Sequence, residues 1–305
     1  MRVFVTGASG HVAAALIPEL LEAGHEVVGL ARSEASAAVV RARGAEVLHG
    51  DIEDPDALTT GARDCDGVIH LAFSNDFSDY EGAVASDLAA VEHLGAVMEG
   101  SGKSLVVTSG TLLLCFAGLD RTGTEHDVVP AGPRVDAENA TIALAERGVR
   151  SSVVRLPPSV HSHLDAHGFV HGLVAGAREH GAAGYVGDGA QRWPAVDTAD
   201  AAHLYRLALE AAPAGTRLHA VADEGVSMRQ VAEVIAGRLD VPTESLDPET
   251  AMARYGFLGG VIQLDNPTSA TITRELLGWA PEHPGLLEDL ATDHYTGECI
   301  PKVTP

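Results

Sequence analysis

Three things are scarce in this 305-residue chain, and each scarcity excludes a class of protein. Cysteine occurs only at Cys65, Cys115 and Cys299. An odd number at wide spacing makes no disulfide framework and lacks the paired spacing of a metal site, so all three read as free thiols. Basic residues number 20 against 43 acidic ones, a formal charge of −23, which argues against nucleic acid and anionic membrane surfaces as partners. Long apolar runs are missing as well. No stretch reaches membrane-spanning length, and the first strand begins at residue 2 with no cleavable apolar segment ahead of it, so a cytoplasmic location is expected. What is abundant is glycine, 33 residues in a chain that is 46% hydrophobic, the composition of a globular α/β enzyme with many tight turns and about two lobes.

The first dozen residues, MRVFVTGASGHV, organise the rest. Val3, Phe4 and Val5 form a short apolar run, Thr6 and Gly7 break it, and Val12, Leu16, Ile17, Leu20 and Leu21 follow at helical spacing. Strand, tight turn and helix in that order make a dinucleotide site. Glycines at 7 and 10 let backbone N–H groups approach a pyrophosphate at the positive end of the helix. The pattern is G-x-x-G-x-x-A, with Ala13 third, and so departs from the strict G-x-G-x-x-G fingerprint. Pro18 falls inside the helix, where a bend is expected.

Further strands follow in HEVVGLARS, AEVLHGDIED, DGVIHLAFS, SLVVTSGT and RSSVVRLPP, with a long helix over residues 80–98. Alternating strands and helices predict an α/β fold, a doubly wound parallel Rossmann sheet with a smaller C-terminal substrate-binding lobe. Residues 1–160 are expected to form the dinucleotide-binding domain and 161–305 mainly the substrate lobe, with 191–222 returning to the first. Ligands bind off the carboxyl ends of such strands. The candidate cofactor contacts are therefore Gly7, Ser9, Gly10, His11 and Val12 in the first turn, Arg32 after the second strand, Asp51 and Ile52 after the third, and Leu71, Ala72 and Phe73 after the fourth. Thr108, Pro157 and Val160 complete the set further on. No carboxylate stands at the second strand end, and an arginine there pairs with a 2′-phosphate, so Arg32 points to NADP(H), with NAD(H) as the alternative. The bland readings are a solvated surface arginine at Arg32 and a helix cap at Asp51.

Past residue 160, His161, His163, His167 and His171 crowd eleven positions. They lack the helical spacing and neighbouring cysteines of a zinc site, so no metal is expected; a proton-donating His161 or His167 competes with a solvated loop. Arg192 and Trp193 read as the exposed part of a turn and short strand, with Trp193 either clamping a ligand or packing in a core. Asp197 or Asp200 suits the start of the helix that follows. RLHAVAD reads as a seventh strand.

Taken together, TGASGHV, HGDIED, GVIHLA, LVVTSGT, VVRLPPSVH, VGDGAQRWPAVDTADAA and RELLGWAPEH resemble the extended, epimerase/dehydratase-like branch of the short-chain dehydrogenase/reductases, over nearly the whole chain. The resemblance implies a catalytic Ser or Thr at Ser109 or Thr111 and a Tyr-x-x-x-Lys motif before the sixth strand. Here Pro130 stands at the Tyr position and Arg134 at the Lys position, and no tyrosine occurs between Tyr80 and Tyr185. Arg134 can hold a ribose as a cation, but it cannot relay a proton. The expectation is an NADPH-dependent reductase of a small organic carbonyl, enone or imine, with the proton supplied by water or by His161 or His167. A non-redox cyclase, isomerase or dehydratase and a non-catalytic NADP-sensing protein are the alternatives. A small-molecule substrate is the expected partner, and a second copy of the chain is the one macromolecular partner left open.

Overall fold

The computed structural model describes residues 1–73 and 79–297; Cys299 lies outside them. Seven parallel strands form the main sheet: β1 (Arg2–Thr6), β2 (Glu26–Ala31), β3 (Glu46–His49), β4 (Gly67–His70), β5 (Ser104–Gly110), β6 (Arg150–Leu156) and β10 (Thr216–His219). Their order is β10-β6-β5-β4-β1-β2-β3, the doubly wound arrangement expected, with RLHAVAD returning as the seventh strand. The sheet is buried on both faces, so its strands read as continuous apolar runs and their residues alternate between two cores. Val3, Val5 and Ile69 pack with α1 (His11–Glu22), α2 (Glu34–Ala42) and α8 (Thr198–Ala211). Phe4, Val68 and Leu105 pack with α3 (Pro55–Asp64), α4 (Tyr80–Met98) and α6 (Val135–Ala143) on the other face.

Local chemistry sets the helix starts. Ser33 and Ser36 form a reciprocal cap for α2, Asp54 with Pro55 starts α3, and Asp197 caps α8. Asp54, not Asp51, is thus the cap of the helix after β3. The α1 helix runs through Pro18 without interruption.

The other described elements build a second core. A three-stranded sheet, β11-β9-β7, joins β7 (Ser159–His161), β9 (Arg192–Asp197) and β11 (Asp223–Ser227), and β8 (Ala183–Val186) pairs with β12 (Thr243–Leu246). Helices α7 (Phe169–His180), α9 (Met228–Leu239), α10 (Pro248–Tyr255), α11 (Phe257–Val261) and α13 (Leu286–Leu290) pack around them. The short helices α5 (Leu112–Phe116) and α12 (Thr271–Leu277) follow β5 and precede the buried Trp279. Among the described residues, no helix is long and apolar enough to cross a membrane.

Candidate active site

The sheet order reverses between β1 and β4, and the crevice opens at their carboxyl ends. There Gly7 takes φ +65°, and a Cβ on it would stand 2.8 Å from the backbone nitrogen of Ala72. Only glycine lets the turn lie this close to the end of β4. Gly10 donates its N–H to the Gly7 carbonyl (2.9 Å) and caps α1 without any side-chain hydrogen bond. The leading N–H groups of α1, in the turn that holds His11 and Val12, therefore have no side-chain cap, unlike those of α2 and α3, which suits a phosphate. Beneath the turn, the Arg43 guanidinium donates to the carbonyls of Ala8 (2.7 Å) and Gly10 (3.0 Å). That clamp was invisible to sequence reading, because it joins residues more than thirty positions apart.

Arg32, at the end of β2, is exposed and makes no hydrogen bond or ion pair among the described residues. Asp51 and Ile52 are half-buried, and the Asp51 carboxylate accepts the N–H of Glu53 (3.3 Å).

A directional chain runs below the crevice. The Ala72 N–H donates to Thr6 Oγ1 (3.2 Å), Thr6 meets His70 Nδ1 at 2.8 Å, and His70 Nε2 meets Asp87 Oδ1 at 3.2 Å. A carboxylate only accepts, so His70 Nε2 donates to Asp87 and its Nδ1 accepts from the Thr6 hydroxyl. Asp87 in turn stands 3.9 Å from Arg134 Nε. Arg134 opens α6 with φ 62°, a left-handed backbone rare outside glycine, and its guanidinium lies 3.9 Å over the Phe73 ring while donating to the Thr108 carbonyl (3.2 Å). The Arg134 cation is thus held at the ends of β4 and β5. Pro130 is exposed, its loop tied down by Asn139 Nδ2, which donates to the carbonyls of Val129 and Pro130.

The two candidate hydroxyls differ. Ser109 donates to buried Glu138 (2.8 Å), a carboxylate already held by Arg155 and Arg217, whose hydrogen bonds lower its pKa against the opposing effect of burial. Its proton is committed away from the crevice. Thr111 is fully buried and accepts from Asn266 Nδ2 (2.8 Å). Thr108 donates to the His70 carbonyl and meets the Tyr205 hydroxyl at 2.7 Å; burial raises that phenol's pKa.

The four histidines separate. His163 and His167 are exposed. His171 Nε2 donates to the Asp165 carbonyl (2.6 Å). His161, fully buried on β7, holds Asp289 Oδ2 with Nδ1 at 2.9 Å and has no partner at Nε2. Among the described residues, no three metal-ligating side chains converge. The structure links His11 to His161 through Thr198: Thr198 donates to the His161 carbonyl (3.0 Å), so His11 Nε2 must donate to Thr198 Oγ1 (2.8 Å). Burial holds the His11 pKa below its ordinary value. Trp193 proves to be buried, 1% exposed, whereas Arg192 is exposed and paired with Asp265. Of the two alternatives for Trp193, packing in a core is the one the structure bears out, and strand alternation turns Arg192 to the opposite, exposed face.

A model of the NAD dependent epimerase/dehydratase family matches residues 3–221. The chain is 46% identical over 297 residues to the uncharacterized protein C2A9.02 of Schizosaccharomyces pombe, covering 97% of this chain and 100% of that protein. It is 27% identical over 256 residues to a 2-alkyl-3-oxoalkanoate reductase of Stenotrophomonas maltophilia, covering 79% and 77% of the two. Its fold is similar to that of UDP-glucuronic acid 4-epimerase from Bacillus cereus in complex with NAD, with a TM-score of 0.75 at 16% identity over 96% of this chain and 97% of that one. The chain belongs to the NAD dependent epimerase/dehydratase family, within the extended short-chain dehydrogenase/reductases.

Proposed function

We propose that the protein is an NADPH-dependent reductase of a small organic carbonyl, enone or imine. The observation that carries this reading is the convergence, at one crevice, of an uncapped glycine-turn helix end, an uncommitted Arg32 and a clamped Arg134. Gly7 to Val12 would hold the pyrophosphate, Arg32 the 2′-phosphate, and Arg134 the nicotinamide ribose. The bound dinucleotide supplies hydride to the electrophilic carbon. The similarity to a 2-alkyl-3-oxoalkanoate reductase supports the redox class.

The chain's own part is to manage charge and protons. Thr111, beside Asn266, polarises the substrate oxygen or nitrogen. His161 is the group suited to exchange a proton, because Asp289 fixes its ring through Nδ1 and leaves Nε2 without a partner. Exposed His167 has no such orientation. The same dyad favours one second reading: as a base, His161 suits an isomerase or dehydratase that performs no net redox.

Rapid-mixing measurement of NADPH absorbance across a carbonyl, enone and imine panel tests the proposal. The expected result is substrate-dependent NADPH loss, with NADH a poorer donor. Tight NADPH binding without turnover of any compound would reject it, and isomerised product without NADPH loss would select the second reading.

A further inference from the structure

The α1 helix begins with a histidine whose two ring nitrogens have different fates. Thr198 settles its tautomer. The single hydroxyl proton of Thr198 goes to the His161 carbonyl (3.0 Å), and its oxygen accepts from Ser162 Oγ (2.9 Å) and from His11 Nε2 (2.8 Å). The proton of the neutral His11 ring is therefore on Nε2. Nδ1 keeps a lone pair and makes no hydrogen bond among the described residues, and on this half-buried side chain it is open rather than sealed.

The backbone around His11 is electropositive. α1 and α8 run side by side in the same direction: His11 meets Thr198 at their starts, Glu19 meets His203 and Arg206 midway, and His25 meets Glu210 beyond the end of α1. Two positive helix ends therefore lie together. The α8 end is answered by the Asp197 carboxylate, which accepts the Ala199 N–H (2.7 Å). No side chain answers the α1 end, because Gly10 is its cap and its first turn holds no acidic residue.

The charged and titratable groups that face His11 are each engaged elsewhere. Asp165 accepts the N–H groups of His167 and Gly168 and the Tyr295 hydroxyl, and Asp197 caps α8. Arg43, from the end of α2, donates to the carbonyls of Ala8 and Gly10. His161 on β7 is held by Asp289, and His171 on α7 by the Asp165 carbonyl. The two carboxylates favour a charged His11 and the two imidazoles oppose it; burial is the largest influence and holds its pKa below the ordinary value. The unliganded ring is thus neutral at pH 7.

What the start of α1 lacks is negative charge, and a dinucleotide supplies it. We propose that His11 is a proton-linked contact for the cofactor's diphosphate: with the diphosphate in the Gly7–Val12 turn, Nδ1 takes one proton from solvent, and the imidazolium adds a cation to the turn while its Nε2–H stays on Thr198. The proposal rests on the dinucleotide reading of that turn, and neither on the reductase chemistry nor on the choice between NADPH and NADH. A nearby opposite charge moves a titrating group by about 1–3 pKa units toward its charged form. Because the bound state holds the extra proton, affinity falls as pH rises between the free and bound pKa values, by up to about tenfold per unit, and is level above the bound value.

The test uses the full chain and NAD+, whose diphosphate does not titrate near neutrality, whereas the 2′-phosphate of NADP+ does, at about 6. Calorimetric titration at pH 6.5 in two buffers of different ionisation enthalpy counts the protons taken up. The wild type is expected to take up a large part of one proton, and His11→Gln, whose amide still donates to Thr198, none. The variant is expected to bind with the wild type's weaker, high-pH affinity at every pH. The His11 Cε1–H NMR resonance, identified by its loss in His11→Gln, should move toward the charged position as NAD+ is added at constant pH. Equal uptake in wild type and variant, or a His11 resonance that stays neutral in saturated protein, overturns the proposal. If only NADP+ binds, the difference between wild type and variant decides, because the 2′-phosphate is common to both; if neither dinucleotide binds, the proposal falls with the dinucleotide reading of the turn. Proton uptake at His11 without NADPH oxidation by any panel compound keeps the proposal and removes the reductase reading; NADPH oxidation without uptake at His11 does the reverse.

Discussion

At the scale of single residues, the crevice is specified by side chains that have no structural duty. Arg41, Arg121, Arg147 and Arg192 are exposed arginines committed to carboxylates, whereas exposed Arg32 is not. A guanidinium held in reserve beside the end of β2 is what recognition of a 2′-phosphate requires, because a charge-assisted pair exceeds a neutral hydrogen bond about twofold in strength. Arg32→Ala is therefore expected to weaken NADPH binding by about tenfold or more while leaving NADH binding within twofold, read by cofactor fluorescence titration. Equal losses for both cofactors would remove Arg32 from 2′-phosphate recognition. Arg134 and Arg43 are different in kind: each is bound to backbone carbonyls, so their charge comes with a fixed position.

Among the elements, the β1–α1 turn is the piece whose geometry tolerates least change. Gly7 and Gly24 both have positive φ, +65° and +82°, but a Cβ on Gly24 meets nothing within 4 Å, whereas on Gly7 it meets the backbone of Leu71 and Ala72 at 2.8–3.0 Å. Gly24→Ala carries only the left-handed backbone cost, about 1 kcal/mol. Gly7→Ala adds displacement of β4's end and is expected to destabilise by roughly 2–4 kcal/mol and to weaken cofactor binding. Thermal unfolding of the two variants side by side measures the difference, and equal shifts would show that the close approach is unimportant. Elements of this kind were legible in the sequence, since buried parallel strands are continuous apolar runs and glycine turns sit between them; the main sheet and the 80–98 helix follow directly. The site was legible only along the chain. Gly7, Gly10, Arg32 and Arg134 stand beside recognisable strand ends, but His161 and Asp289 are 128 residues apart, and His11 and Thr198 187 apart, distances at which no spacing rule operates. Trp193 was open between a ligand clamp and a core residue, and its burial in the core follows from strand alternation, which turns it and Arg192 to opposite sides.

At the scale of the whole molecule, a buried network couples the main sheet to α6 and the loop that precedes it. Arg155 on β6 holds Glu138 on α6 and the carbonyl of Asp127, Arg217 on β10 holds Glu138 as well, and Arg155 Nη1 meets His219 Nε2 at 3.2 Å. Because an arginine only donates, His219 Nε2 accepts, and its Nδ1 donates to the Ser269 carbonyl at 2.8 Å. Both nitrogens are satisfied only in the neutral ring. Burial, with Arg155 adding to it, pushes His219 down to about 4. A histidine in the unfolded chain titrates near 6.5, so between those values the unfolded state binds a proton that the folded state refuses. The stability this histidine contributes is complete above about pH 6.5 and is lost as pH falls toward 4, with a slope of up to about 1.4 kcal/mol per pH unit for one proton. His11 and His294, also lowered by burial, act with the same sign, whereas His283, raised by its hydrogen bond to Asp200, acts with the opposite sign. His219→Gln keeps a donor and an acceptor at the site but takes up no proton. Urea unfolding between pH 7 and 4.5 should show its stability curve flatter than the wild type's by up to one proton's slope. Parallel curves would mean that the network's acid sensitivity resides in its carboxylates and not in His219.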